Sequence, residues 1–161
     1  MSERLEVRVG PAEGADLSVE LCPPSEALRV GEARRIAPGL IRTVAPRWGS
    51  DPYADGSEKL GHRLEDVQLG QCYQQCLELA RDAQARCLAL PLLHSGPDGV
   101  PADRAIKTAV GHLRFFLQRN AAPERVVLTC ASEAEAALVR RELVPRDVSS
   151  PIQIGGLRTR S

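Results

Sequence analysis

CLALPLLHSGPDGVP, residues 87–101, joins an unbroken apolar run to a loop that contains two glycines and two prolines. The apolar run, 87–93, is typical of a strand that is buried on both faces. Gly96 and Gly99 allow positive φ angles and a close backbone approach, and Pro101 suits the first turn of a helix. A strand, a glycine-containing loop and a helix N-terminus together form a common anion-binding geometry. The same loop also fits a plain turn, and the eight residues alone leave both interpretations open.

The segments on either side of this stretch alternate between helix and strand. Apolar residues recur at helical spacing before it and after it, and RVVLTC at residues 125–130 predicts another buried strand. Ser132 and Glu135 form a capping box, which predicts a helix that runs to about Leu143. Such alternation implies right-handed crossovers between parallel strands. The predicted fold is therefore α/β, a three-layer α/β/α sandwich with a mixed, largely parallel sheet. The helical stripes consist of Leu69, Cys72, Tyr73, Cys76, Leu77 and Ala80, and of Ile106, Ala109, Val110, Leu113, Phe116 and Leu117.

The first part of the chain is rich in strand patterns. LEVRV (5–9) and LSVEL (17–21) alternate apolar and polar residues, and GLIRTV (39–44) predicts a third strand. We expect the first two strands to be antiparallel or to lie at the edge of the sheet. Residues 22–38 are mixed, which predicts a short helical or irregular stretch.

Composition limits the classes of protein that the chain can belong to. The 161 residues include 21 basic and 21 acidic side chains, so no net charge attracts nucleic acid or an anionic membrane. Aromatic residues make up only 3%, which argues against a base-stacking platform. No apolar run has the length of a membrane span, and the N-terminus lacks a signal-peptide core. We predict one domain over residues 1–144, followed by a tail or docked extension at 145–161.

The cysteine pattern predicts an intracellular protein with reduced thiols. It argues against a metal site and against a disulfide framework. Their number is odd, and without a secretion signal this indicates reduced thiols and a cytoplasmic location. Cys72 and Cys76 share one helix face and are expected in the core. The histidines are not spaced to complete a metal site with them, so neither a metal nor another cofactor is predicted. All of the cysteines except Cys22 are expected to be small buried apolar residues: Cys72, Cys76, Cys87 and Cys130.

Several segments resemble the macro domain family in the right order. VGEARRIAPG and LIRTVAPRW (30–48) resemble its "GEA…T-x-G" segment and "IHTVGP-x-W" strand. QCYQQCLELARDAQARCLALPLL (71–93) resembles its "CY-x-x-x-L-x-L-A" helix and "SIAFPAIS" strand. HSGPDGVP aligns with its "STG-x-F/Y-G-Y-P" loop, and RVVLTCASEAEA (125–136) with its last strand and helix. The resemblance extends from Val30 to Leu143.

The resemblance implies a ligand and a set of contact residues. Macro domains bind ADP-ribose, and some hydrolyse ADP-ribosyl esters or related linkages. One of their two diphosphate-binding loops would be HSGPDGVP, and the position after the last strand, on the adenine side, would be Ala131. The phosphate-loop contacts implied in this chain are Ser95, Gly96, Asp98, Gly99 and Val100.

The chain departs from the family pattern at most of the remaining ligand positions. It runs from LSVEL directly to CPPSEALRVGEA, without the family's asparagines, glycine-rich loop and intervening helix. Gly10-Pro11-Ala12 replaces the adenine-contacting "G-D-I", and Asp98 replaces an aromatic residue. We therefore predict a catalytically silent module that acts through protein–protein interaction or weak phosphate or nucleotide contact. The alternative is an ADP-ribose-binding protein or hydrolase with a rebuilt site.

Other clusters suggest contacts rather than chemistry. Arg34, Arg35 and Arg47, with Trp48, predict an interaction patch for another protein or domain, although a solvated basic face fits the same residues. His94 beside Ser95 resembles a catalytic pair by residue type only. The acidic residues from position 51 to position 66 are expected to form a solvated loop rather than a cation site. They are Asp51, Asp55, Glu58, Glu65 and Asp66.

Overall fold

The computed structural model describes residues 4–49, 64–93 and 99–144. They form one six-stranded sheet and three helices. The strand order is β1-β6-β5-β2-β4-β3, and all neighbours are parallel except β3 and β4. The elements are β1 (Leu5–Val9), β2 (Leu17–Leu21), β3 (Ala33–Ala37), β4 (Leu40–Thr43), α1 (Leu64–Asp82), β5 (Cys87–Pro91), α2 (Ala102–Arg119), β6 (Arg125–Cys130) and α3 (Glu133–Leu143).

The predicted α/β class with a mixed, largely parallel sheet is confirmed, but two details differ. The prediction of a short helical or irregular stretch at 22–38 missed β3, which pairs with β4 through a turn at Pro38-Gly39. All of β3 except its first residue is exposed, so it carries no buried alternation to reveal it. β1 lies at the edge as expected, whereas β2 lies inside the sheet and is parallel to both neighbours.

The three helices lie side by side on one face of the sheet. α1 packs against α2, and α2 packs against α3. These contacts would be impossible if the sheet lay between the helices. Both crossovers, from β4 to β5 and from β5 to β6, move across the sheet in the same direction, so right-handed connections bring their helices to the same side. The strands point alternate apolar residues into this layer, which is the core. These residues include Leu17, Val19, Ile41, Leu88, Leu90, Val126 and Leu128.

The opposite face of the sheet carries ion pairs around the buried Val127 and Ala89, and we call it the charged face. Glu6 accepts hydrogen bonds from Arg8 and Arg125, and Arg42 donates to Glu20 across the β2–β4 pair at 2.6 Å. No helix among the described residues covers this side, so the described part of the chain forms two layers of the predicted sandwich. The reason is local, because only the eleven residues 22–32 connect β2 to β3.

A short link crosses this charged face. The Gly10 N–H donates to the Cys130 carbonyl at the end of β6, and the Asp16 N–H donates to the Cys87 carbonyl at the start of β5. The Asp16 carboxylate also accepts from the N–H groups of Arg86 and Cys87, at 3.0 and 2.7 Å. The link therefore runs across the sheet from one end of the strands to the other, and Asp16 fixes the place where β2 begins.

The cysteines largely follow the prediction. Cys72 and Cys76 are completely buried, as expected from their helix face, and Cys130 is also buried. Burial raises the pKa of the Cys72 thiol, which donates a hydrogen bond to the Val44 carbonyl at 3.2 Å. Cys87 is only half-buried, so the expectation of a core residue is wrong there, because it begins an exposed strand end. No helix in the described ranges is long and apolar enough to cross a membrane.

Candidate functional site

The carboxyl ends of β1, β5 and β6 surround a cleft of about 430 Å³. In open α/β sheets ligands bind outside this end of the strands. The first turn of α3 forms one wall, and the start of the link after β1 forms another. The cleft brings together three segments that are far apart in the sequence. Its lining residues are Gly10, Pro11, Pro91, Leu92, Thr129, Cys130, Ala131 and Glu135.

Backbone hydrogen bonds hold the walls of the cleft. The Leu92 N–H donates to the Thr129 carbonyl at 3.0 Å and extends the β5–β6 pairing to the rim. Gly10 has a φ of +85°, which a residue with a Cβ rarely adopts, and it turns the chain away from β1. No atom lies within 4 Å of the position that a Gly10 Cβ would occupy. The turn at Gly10 therefore leaves the adjacent space open.

The start of α3 confirms the predicted capping box. The Ser132 hydroxyl accepts from the Glu135 N–H at 3.1 Å, and the Glu135 carboxylate accepts from the Ala131 N–H at 2.9 Å. Because of these bonds, two N–H groups at this helix start are already used within the protein. They also hold a negative charge at the wall of the cleft. This helix N-terminus therefore attracts a phosphate less than an uncapped one would.

The cleft contains a cysteine that is a poor nucleophile. Burial, followed by the nearby charge of Glu135, raises the pKa of the Cys130 thiol to about 11. The thiolate is the reactive form of cysteine, so at neutral pH Cys130 is almost entirely unreactive. The remaining lining is mainly apolar. The arrangement suits the binding of a flat, neutral group better than acid–base chemistry.

The glycine-containing loop follows directly from the cleft. Ser95, Gly96 and Asp98 lie outside the described residues, as does His94. Gly99 and Val100 lie just before α2 and are both buried, with only 2% of Val100 exposed, so these two residues offer a ligand little surface. A contact with α1 fixes the backbone just before the loop, because the buried Tyr73 hydroxyl accepts a hydrogen bond of 2.8 Å from the Leu93 N–H.

The carboxyl end of β2 is built differently. The Cys22 N–H donates to the Thr43 carbonyl, and two exposed prolines, Pro23 and Pro24, follow. A turn then brings the buried Leu28 against the domain, with its N–H bonded to the Ser25 hydroxyl at 3.2 Å. This half of the sheet edge thus lacks the asparagines and glycine run that the family resemblance would require.

The residues of the predicted interaction patch face in different directions. Arg34 and Arg35 are neighbours on β3 and therefore point to opposite sides of the sheet. Arg35 donates to the Pro38 carbonyl in its own hairpin. Arg47 is exposed, while Trp48 is partly buried against the core. The guanidinium of Arg104, from α2, lies 5.2 Å from the centre of the Trp48 ring.

Two acidic residues expected in a solvated loop are buried. Glu65 has no exposed surface, and its carboxylate accepts from the Gly49 N–H at 2.8 Å. Asp66 is 9% exposed and pairs with Arg104, and both acids belong to the first turn of α1. The expectation of a solvated acidic spread is wrong for this pair, because they tie α1 to α2 and to the loop after β4. Asp51, Asp55 and Glu58 lie outside the described residues, and within the described ranges no cluster of metal-ligating side chains occurs.

The fold is that of an α/β domain with a cleft at the carboxyl edge of its sheet, the place where open α/β sheets bind their ligands. A family model described as "Macro domain" matches residues 12–109. The chain is 34% identical over 122 residues to a macro domain-containing protein of Methanosarcina mazei, covering 76% of this chain and 60% of that protein. It is 33% identical to an O-acetyl-ADP-ribose deacetylase of Klebsiella pneumoniae, covering 76% and 64%. The chain belongs to the macro domain family.

Solved structures agree with this assignment. A variant of the Oceanobacillus iheyensis macrodomain aligns with a TM-score of 0.73 at 21% identity, covering 86% of this chain and 90% of that one. The Trypanosoma brucei macrodomain, solved in complex with ADP-ribose, aligns with a TM-score of 0.67 at 18% identity, covering 86% and 68%. The fold is therefore that of a macro domain. The chain spans 60–64% of the length of the first curated relatives that it matches.

Proposed function

We propose that this macro domain binds an ADP-ribose-type nucleotide in the cleft, weakly, and does not hydrolyse it. The proposal rests on one observation: Gly10, Pro11 and Ala131 line the same cleft. The resemblance to macro domains assigns both segments to the adenine side, although about 120 residues separate them in the sequence. The cleft has an apolar lining and opens beside the end of β5, where the phosphate-loop candidates begin.

The relatives support the ligand class. Several are described as O-acetyl-ADP-ribose deacetylases, and one fold neighbour is described as a complex with ADP-ribose. In our proposal the adenine occupies the space next to Ala131, and the diphosphate follows the loop after β5. The residues that would contact the phosphates through their backbone are Ser95, Gly96, Asp98, Gly99 and Val100.

Weak affinity follows from the residues at these positions. A stacking aromatic contributes about 1–3 kcal/mol to the binding of a base, and Ala131 supplies none. Pro97 has no N–H to offer, and Asp98 adds a negative charge near the phosphates. Glu135 adds another at the wall of the cleft. We therefore expect a dissociation constant in the millimolar range, equivalent to roughly −4 kcal/mol.

Catalytic silence follows from the end of β2 and from the cleft itself. Proline and cysteine follow β2, where the family resemblance calls for asparagine, so the distal ribose and an attacking water lose their positioning groups. The thiol of Cys130 stays protonated at neutral pH. The Glu135 carboxylate is engaged as a helix cap, which makes it a poor general base.

Calorimetric titration with ADP-ribose, ADP and AMP tests the binding proposal. We expect millimolar binding that improves when Ala131→Phe restores an aromatic ring and when Asp98→Asn removes the charge. Ala134→Phe is the matched control, because Ala134 is exposed on α3 outside the cleft lining. Micromolar binding by the unmodified protein would contradict the weak-affinity proposal, and equal gains from both phenylalanines would contradict the position of the site.

Hydrolysis of O-acetyl-ADP-ribose tests the silence of the site separately. We expect acetate release at the rate of the buffer blank, even at a ligand concentration that saturates the cleft. Release above the blank that disappears in the Gly96→Val variant would show a working site in this chain. A relative with deacetylase activity serves as the positive control.

A second proposed function, contact with an acidic protein partner, is favoured by the exposed edge strand β3. Arg34 and Ile36 are exposed there, and Arg47 is exposed after β4. Trp48 is the only tryptophan of the chain, so its fluorescence reports on this region. We expect an acidic peptide to change that fluorescence, and we expect Arg34→Glu with Arg47→Glu to abolish the change. No response to any acidic peptide would leave the nucleotide as the proposed ligand.

A further inference from the structure

The outer surface of the α1–α2 pair contains a groove of about 690 Å³. The groove and the nucleotide cleft have no lining residue in common. The two helices pack closely at the floor of the groove, where a Cβ added to Gly70 would lie only 2.5 Å from Nε2 of His112. Val67 and Phe115 are large exposed apolar residues on its walls. The lining is Asp66, Val67, Gly70, Gln71, Gln74, Lys107, Thr108, Gly111, His112 and Phe115.

One line of residues along α2 faces the solvent beside this groove. It consists of residues at four-residue spacing, all exposed, and we call it the α2 ridge: Asp103, Lys107, Gly111, Phe115 and Arg119. The Phe115 side chain and backbone are together 54% exposed, and the Arg119 guanidinium lies 3.8 Å from the centre of its ring. Exposed aromatic residues of this kind are frequent anchors of interfaces.

Gly111 lies at the centre of the ridge, and packing among the described residues leaves the space beside it empty. A glycine in the middle of a helix lowers helix stability relative to alanine. No atom lies within 4 Å of the position of a Gly111 Cβ, so packing within the described part of the molecule does not require the glycine. A glycine at such a position allows the backbone of another helix to approach closely.

We propose that the α2 ridge is the interface of a twofold-symmetric dimer, in which α2 crosses α2 of a second copy in the antiparallel direction at Gly111. In such a pair, residues equally far from Gly111 on either side face each other. Lys107 and Phe115 are each four positions away, and Asp103 and Arg119 are each eight positions away. Each Asp103 therefore meets Arg119 of the other copy, and each Phe115 meets Lys107.

Charge complementarity favours a second copy over an unrelated partner. The ridge begins with Asp103 and ends with Arg119, and Lys107 lies between them. Asp103 therefore meets Arg119 of the second copy only when the two helices run in opposite directions. Within the described residues neither Asp103 nor Lys107 forms an ion pair. Phe115 of the second copy enters the groove next to Lys107, between Val67 and Thr108. The groove thus receives the apolar side chain that the other copy exposes.

Sedimentation equilibrium of the full chain tests the proposal over about a hundredfold range of protein concentration. We expect a reversible dimer, weakened about tenfold or more by Phe115→Asp, which removes the exposed aromatic anchor. Gly111→Ala should weaken the dimer while raising the melting temperature of the monomer, because alanine favours the helix. This opposite pair of effects excludes unfolding as the cause. A protein that stays monomeric throughout would overturn the proposal.

Charge reversal tests the antiparallel register. Asp103→Arg and Arg119→Asp should each weaken the dimer, and the double variant should restore it, because reversal of both charges recreates the pair. Leu138→Asp is the control, since Leu138 is exposed on α3 away from the ridge. A double variant as weak as the single ones, or an equal loss from Leu138→Asp, would overturn the assignment. None of these residues lines the nucleotide cleft, so failure here leaves the proposed function unaffected.

Discussion

The two faces of the sheet are stabilised in different ways. One face packs its apolar side chains against three helices, and residues such as Ile41 and Leu88 are completely buried there. The other carries ion pairs, among them Glu20 with Arg42, and is crossed by the short link between β1 and β2. Burial of apolar area dominates folding stability, whereas exposed ion pairs contribute little. The helical face therefore provides most of the stability of this domain.

The short connection between β2 and β3 also bears on ligand binding. Only residues 22–32 connect β2 to β3, and a family member with a glycine-rich loop and helix at this point would need more chain. In our proposal the absence of this loop and helix removes half of the phosphate site. It also leaves one sheet face without a helix among the described residues. On that proposal, a point substitution near Ala131 improves the cleft but does not supply the second phosphate loop.

The largest expected effect comes from shortening a side chain on the helical face. Ile41→Ala leaves a cavity between β4 and the helices, and we expect a loss of about 2–5 kcal/mol in the free energy of unfolding. Urea denaturation followed by circular dichroism measures it. Arg42→Ala, one residue further along the same strand, should cost about 1 kcal/mol or less. Equal losses at both positions would contradict the difference between the faces.

A smaller loss is expected where the helical layer holds the start of the glycine-containing loop. Tyr73→Phe removes the hydroxyl that accepts the Leu93 N–H, with almost no change in volume. A buried donor without a partner costs about 1–3 kcal/mol. Thermal denaturation gives the change, and hydrogen exchange at Leu93 should accelerate. An unchanged exchange rate there would mean that another group takes over the bond.

The link on the charged face gives a pH-dependent effect. Burial by itself would raise the pKa of Asp16, but the hydrogen bonds from Arg86 and Cys87 outweigh it and hold the pKa below its ordinary value of 3.8. A lowered pKa stabilises the fold above that value, and the gain is lost as the pH falls through the folded pKa. Asp16→Asn should therefore cost about 1 kcal/mol at pH 7, since the group is exposed. The difference between the denaturation curves of the two proteins should shrink as the pH falls below 3.8. A constant difference from pH 7 to pH 3 would exclude this charge effect.

The smallest effect is expected from the ion pairs of the charged face. Glu6→Gln removes the carboxylate charge that meets Arg8 and Arg125, all three being partly or largely exposed. We expect a loss of about 0.2–1 kcal/mol at low salt. At high salt the difference should vanish, because exposed charges are screened. A loss that survives high salt would indicate that the carboxylate supports the sheet by more than its charge.

Most of the elements were predictable from local pattern, and the exceptions have physical causes. Buried strands such as β5 and β6, and helices with one apolar stripe, can be recognised in the sequence because burial selects apolar residues at a fixed spacing. The edge strand β3 was not recognised, because exposed residues such as Arg34 and Ile36 are not selected by burial. The place of β2 inside the sheet was also missed. It depends on a link anchored by Asp16, which local alternation does not record.

The candidate site was predictable only in part. The resemblance singled out Gly10, Pro11 and Ala131, but no sequence pattern indicated that Glu135 also borders the cleft while capping α3. The capping box did predict the contact between Ser132 and Glu135, because both residues lie within one helical turn. The burial of Glu65 carried no sequence signal, as its partner Gly49 comes from a different segment.

The sequence by itself determined the α/β class, the family resemblance and the absence of asparagines and a glycine run directly after β2. These depend on periodicity, residue type and chain length, which are all properties of neighbours along the chain. Tertiary structure alone decided that the three helices share one face, that Gly10 meets Ala131, and that Gly111 lies exposed in the middle of α2. Such facts depend on the order and direction of the strands, and these are fixed by the packing of the whole sheet rather than by any short stretch of residues.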